Sequence, residues 1–168
     1  MSLERRVGSR WTVGGALGST LVGSLRPQGS SFDLSPGPLL TLSASYRALD
    51  EGTVAPFVLL TGSLGGAIDW TTPSGGGSGG SQSFTAFDAR VGVAAGKTFA
   101  HVVTPYLLAR AFGLPILWRY QGASTIGNDA YHYQLGAGLV VRVGAFDIDV
   151  EGVPLGEKAI VGGGGYAF

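Results

Sequence analysis

The stretch AYHYQLGAGLVVRVG, Ala130–Gly144, decides the fold. Tyr131, Tyr133, Leu135, Ala137, Leu139, Val141 and Val143 fall on one face at period 2, and His132, Gln134, Gly136, Gly138, Val140 and Arg142 fall on the other. Side chains alternate across a strand, so the pattern reads as one strand between two different environments. A strand in a soluble protein runs for about five to six residues. A strand crossing a bilayer at a tilt needs about nine to eleven. The alternation here outlasts both.

The pattern recurs on both sides of that stretch. Pro38–Leu49 sets Leu40, Leu42, Ala44 and Tyr46 against Thr41, Ser43, Ser45 and Arg47. Phe84–Lys97 sets Phe87, Ala89, Val91, Val93 and Ala95 against Asp88, Arg90, Gly92, Ala94 and Gly96. Phe146–Gly152 alternates Phe146, Ile148 and Val150 with Asp147, Asp149 and Glu151. Arg10–Gly23 carries Trp11, Val13, Leu17 and Leu21 in phase, and Lys158–Phe168 carries Ile160, Tyr166 and Phe168 across a glycine run. Val54–Asp69 and Val102–Trp118 are less regular. The second meets Pro115, which cannot donate to a ladder, so a bulge or strand edge is expected there.

These eight segments are joined alternately by long and short connections. The long ones are Leu25–Gly37, Trp70–Ser83, Arg119–Asp129 and, shorter, Val153–Glu157, and the short ones are Leu49–Thr53, Thr98–His101 and Gly144–Ala145. Short turns on one rim and long loops on the other are the habit of outer-membrane barrels. The reading is one all-β domain over residues 1–168, a closed antiparallel up-and-down transmembrane barrel of about eight strands. Residues 1–9 are then a periplasmic tail, and the Gly- and Ser-rich segment 70–83 is an extracellular loop.

Composition agrees. Charged residues make up 13% of the 168 and glycine supplies 30, against about 25% and 7% in ordinary soluble domains. No run of about 18 apolar residues could form a spanning helix. A soluble β-sandwich is the competing architecture. Net charge is zero and cysteine is absent, which gives no reason to expect nucleic acid, a disulfide framework or a thiolate metal site. The start, Met1–Arg6, has no apolar signal region, so an exported barrel implies a leader already removed or a chain that is a fragment of a longer protein.

Aromatic residues collect near the strand ends. Trp11, Tyr46 and Tyr166 fall near the short-turn ends, and Trp70, Phe87, Trp118, Tyr131 and Tyr133 near the long-loop ends, as two interface girdles would require. Phe57 is placed in the short-turn girdle and Phe84 in the long-loop one, whereas Phe112 sits at mid-strand and Phe32 in a loop.

With its eight-strand pattern, its alternating loops and the ending Gly165-Tyr166-Ala167-Phe168, the chain resembles the small outer-membrane barrels of the OmpA and OmpX type. The resemblance implies a porin-like Gram-negative cell-envelope protein in the bacterial outer membrane. Its partners there would be membrane lipid and lipopolysaccharide, and it would be a monomer. Tyr166 and Phe168 would form the signal read by the barrel assembly machinery during biogenesis.

The inward faces carry Arg47, Asp88, Arg90, Arg110, Arg142, Asp147, Asp149 and Glu151, with basic and acidic groups in equal number. An eight-stranded lumen is just wide enough for side chains, so these charges are expected to pair and form a plug. A narrow pore or small-molecule conduit is the alternative. The row Asp147, Asp149, Glu151 has the residue types for a hard cation, but nearby arginines favour ion pairs, and no metal or cofactor is expected. His132, with Asp129 and Ser124, invites comparison with lipid-modifying outer-membrane enzymes. Family lipid A deacylases carry a His-x-Ser pattern, and here Gln134 stands where that serine would be, so the expectation is a non-enzymatic protein. His101 falls in a turn and is expected to be solvated. The glycine runs 75–77 and 162–165 lack the phosphate-loop sequence. A soluble barrel with an apolar ligand is the reading if the membrane is absent.

Overall fold

In the computed structural model the described residues are 1–20, 23–25, 31–73, 81–120, 123–127 and 131–167, and among them there is no helix. The elements are β1 (Ser2–Val7), β2 (Trp11–Ser19), β3 (Gly23–Leu25), β4 (Phe32–Ser35), β5 (Pro38–Leu49), β6 (Phe57–Pro73), β7 (Gln82–Gly96), β8 (Val103–Gly113), β9 (Ile116–Tyr120), β10 (Ala123–Gly127), β11 (Tyr133–Val143), β12 (Phe146–Gly156) and β13 (Ala159–Tyr166). All belong to one antiparallel sheet. Its main path runs β1-β2-β5-β6-β7-β8-β11-β12-β13, with β3, β4, β9 and β10 branching from it.

Each of the eight alternating segments contains a main-path strand. The period-2 pattern therefore becomes a ladder of neighbours in chain order, as short turns require. Two turns show how the connections are made. Gly144, at φ 64°, opens the two-residue turn between β11 and β12, where a left-handed residue matches the twist of the strands. Ala100 and His101, at φ 51° and 59°, form the turn between β7 and β8, closed by the Val102 N–H donating to the Phe99 carbonyl at 3.0 Å. Pro115 acts as expected: β8 stops at Gly113 and β9 resumes at Ile116.

The architecture departs from the expected barrel in two ways. Ser2–Val7, expected as a tail, is a strand paired with β2 from Ser2↔Ala16 to Val7↔Trp11. The path therefore has nine strands instead of eight, and the sheet is not closed: β1 and β13 are its two edges. Several expected loops also continue the ladder. The β6–β7 pairing extends to Thr71↔Gln82, while β3–β4 and β9–β10 form hairpins beyond it. Half of the Gly- and Ser-rich loop, residues 74–80, lies outside the described residues, as does Phe168.

The sheet is strongly curved. Residues from all nine main-path strands, among them Leu3, Gly18, Leu39, Phe57, Ala94, Tyr106, Val140, Asp149 and Gly165, line one cavity of about 1110 Å³. Sidedness follows the alternation. Val13, Leu17, Leu40, Leu42, Leu60, Leu64, Val91, Leu107, Leu139, Ile148 and Val150 are exposed on the convex face. The buried apolar side chains are few and concave: Phe32, Phe84, Leu108, Phe112 and Val153.

Candidate functional site

The concave face divides into a packed zone towards the long loops and an open zone towards the short turns. In the packed zone the Phe32 and Trp118 rings meet edge to face at 4.9 Å, and Trp118 Nε1 donates to Thr71 Oγ1 at 3.1 Å. Thr71 and Asp69 are buried; the Thr20 hydroxyl donates to Asp69 and accepts from the Gly37 N–H at 3.1 Å. Buried hydroxyls and carboxylates need such partners. Nearby, Gln134 Nε2 donates to Glu157 Oε2 at 3.2 Å.

Below this lies a two-point ion pair on the concave face. Arg110 on β8 grips Glu151 on β12 through two nitrogens, at 2.6 and 2.7 Å, and the Tyr106 hydroxyl donates to the same carboxylate at 3.2 Å. A planar guanidinium suits this two-point grip. Glu151 is 6% exposed, and the pair bridges the inner face of β11, which lies between β8 and β12 in the sheet. Gly138 makes room for it: a Cβ there would stand 2.3 Å from Tyr106 Cζ.

The other expected lumen charges do not join one network. Arg90 pairs with Asp88 on its own strand at 2.5 Å, and its guanidinium lies 5.5 Å from the Phe112 ring centre. Arg142 pairs with Asp147 at 2.7 Å across the β11–β12 ladder, near the short-turn rim. Arg47 lines a second cavity of about 580 Å³ with Glu51, His101 and Arg142. Asp149 lines the larger cavity. Neither Arg47 nor Asp149 forms an ion pair among the described residues. The charges thus form three separate pairs at different heights, and the lowest of them, Arg142–Asp147, itself borders the open space.

At the short-turn rim Glu51 ties two turns together. Its carboxylate accepts the Thr98 N–H at 2.6 Å and the Thr98 hydroxyl at 2.9 Å, while Lys97 Nζ donates to the Gly52 and Thr53 carbonyls at 3.1 and 2.6 Å. These donors hold the Glu51 carboxyl below its ordinary pKa, the Thr98 backbone bond contributing most.

Of the expected girdle residues, Trp11, Trp70, Phe87, Tyr131, Tyr133 and Tyr166 are exposed, and the Tyr46 ring lies 5.0 Å from Trp11. Trp118 is a correction. Its ladder partner is Phe84, and both turn inward. Phe57 also faces in and lines both cavities. The inward placement of Phe32, Phe84, Phe112 and Trp118 goes beyond the girdle expectation, although strand phase carries the signal: Phe84 shares parity with Asp88, and Phe112 and Trp118 share it with Arg110.

No group of three or more metal-ligating side chains occurs among the described residues. The row of three carboxylates is split: Asp147 goes to Arg142, Glu151 goes to Arg110 and Asp149 faces the cavity. His132 is exposed; Asp129 and the side chain of Ser124 lie outside the described residues. Comparison with protein-family models, with curated proteins and with solved structures finds no match to this chain.

Proposed function

We propose that the chain is an integral outer-membrane β-barrel protein of non-enzymatic, structural or surface-interaction role, with a charged and largely plugged lumen. The observation that carries this reading is the inverted sidedness of the sheet. The convex face presents apolar side chains from strand after strand, whereas the concave face holds the charges and the small aromatic cluster. A soluble sheet would hide its continuous apolar face; exposed apolar surface on this scale calls for a partner or a membrane. Lipid fits because the apolar rows surround a polar interior, as in transmembrane barrels. Strands β5, β8, β11 and β12, of 12, 11, 11 and 11 residues, are long enough to span. The lipid and lipopolysaccharide partners, the monomeric state and the assembly role of Tyr166 and Phe168 rest on the resemblance to OmpA- and OmpX-type barrels. The test is outer-membrane fractionation of the expressed protein, followed by detergent extraction and a heat-shifted gel band. Recovery in the soluble fraction would refute the proposal.

The two cavities of about 1110 and 580 Å³ favour a second reading, a narrow conduit. Against it stand the Arg110–Glu151 pair and the inward aromatic side chains, which occupy part of the concave face above that space. Planar-bilayer recording separates the two: single-sized conductance steps would promote the conduit, and silence would keep the plug.

A further inference from the structure

The free edges of the sheet conflict with closure. Every main-path pairing is antiparallel, so β1 and β13, first and ninth, run in the same direction. They cannot complete an antiparallel ring, which needs an even number of strands. β2 and β13 run oppositely and can. The edge of β2 that β13 needs is held by β1.

We infer that β1 is a displaceable seam strand, and that in the membrane β13 takes its place on β2, closing a ring of eight. The inference rests on the outer-membrane reading above. Phase supports it. Trp11, Val13, Gly15 and Leu17 form the outward row of β2; Tyr166, Gly164, Gly162 and Ile160 form that of β13, opposite outward Phe146, Ile148 and Val150 and then Gly152. With Tyr166 set opposite Trp11, these two rows coincide. All of β13, Ala159–Tyr166, then lies against β2, replacing the shorter ladder of Ser2–Val7 and the two hydrogen bonds between Met1 and Leu17.

The rings agree with that register. Trp11 and Tyr46 are 5.0 Å apart on one side of the seam, and Phe146 and Tyr166 are 5.0 Å apart on the other. Closure joins the pairs into one continuous row of four at the short-turn rim, where an interfacial girdle belongs. Chemistry disfavours β1 in that position. All six of its residues are exposed, and Arg5 stands in the outward row against Val13. An outward arginine is unfavourable in hydrocarbon, and so are two unpaired strand edges. The cavity already reaches both edges, with Leu3 and Glu4 on one side and Gly164 and Tyr166 on the other, so little stands between them.

The chain has no cysteine, so introduced pairs report cleanly. Full-length protein carrying Val13→Cys with Gly164→Cys, and separately Arg5→Cys with Val13→Cys, is treated with a short thiol-reactive cross-linker in phosphatidylcholine vesicles, and vesicle flotation is scored in parallel. The expected result is flotation, efficient cross-linking of the β2–β13 pair and loss of the β1–β2 cross-link. Flotation with the β1–β2 pair cross-linked and the β2–β13 pair silent overturns the seam exchange but leaves the membrane reading intact. Failure to float overturns both. Arg5→Pro, which removes a ladder donor from β1, should leave flotation and the β2–β13 cross-link unchanged; loss of that cross-link in this variant would also refute the exchange.

Discussion

Replacing Arg110 by alanine leaves Glu151, 6% exposed, with the Tyr106 hydroxyl at 3.2 Å as its remaining donor among those described. Breaking a buried ion pair from one side costs about 3–5 kcal/mol, because an uncompensated charge stays in the interior. The Arg110 side chain keeps 30% exposure, so water reaches part of the pair and the lower end, about 3 kcal/mol, is expected. Removing both charges, as Arg110→Met with Glu151→Leu, should cost far less than the single change, because apolar groups of similar volume replace a desolvated pair. Arg142 and Asp147 provide the contrast. The Arg142 side chain is 62% exposed, and cutting that pair should cost about 0–1 kcal/mol. The assay is urea unfolding of detergent-folded protein, followed through the fluorescence of Trp11, Trp70 and Trp118. If Arg110→Ala unfolds within about 1 kcal/mol of the parent, or the double variant is as unstable as the single, the reasoning about a buried, coupled pair is wrong.

Leu139→Arg, on the convex face, should lower stability in vesicles by roughly 2–4 kcal/mol, with a much smaller loss for Tyr133→Arg near the rim; equal losses would remove the depth dependence. Gly138→Ala forces a methyl into the Tyr106 ring and should cost about 1–3 kcal/mol in urea unfolding. Ala100→Asn with His101→Gly supplies residues suited to the left-handed turn and should raise stability by about 1 kcal/mol in the same measurement. The Glu51 contribution follows pH: its folded pKa lies below the ordinary 4.5, so its stabilisation is present above 4.5 and is lost as pH falls through the lower, folded value. Glu51→Gln should therefore lose less stability than the parent between about pH 7 and pH 3, as read from urea midpoints.

The ladder was legible wherever one face was uniformly apolar. Ala130–Gly144, Pro38–Leu49 and Phe84–Lys97 announce both their strands and their sidedness, because a one-residue slip would bury the wrong row. Ser2–Val7 was not legible: Glu4, Arg5 and Arg6 interrupt any apolar row, and the segment is a strand because the edge of β2 offers it hydrogen bonds. The inward placement of Phe84 and Trp118 is hidden because position near a strand end outweighs parity, and that of Phe32 because its segment reads as a loop. Carried across Pro115 from Arg110, the phase places Trp118 inside, where it reaches Thr71. The lumen charges were assigned to one face, but period 2 contains no information about height. Only the ladder register shows that Arg142 meets Asp147 at the rim while Arg110 reaches across to Glu151.

Whether the convex face lies in lipid is tested by a spin-label scan from Tyr133 to Val141 in reconstituted vesicles, reading accessibility to oxygen against accessibility to a water-soluble relaxation agent. Strong alternation is expected, with Tyr133, Leu135, Ala137, Leu139 and Val141 open to oxygen and the residues between them shielded from it. A flat profile, or the same odd-numbered positions open to the water-soluble agent throughout, would contradict it.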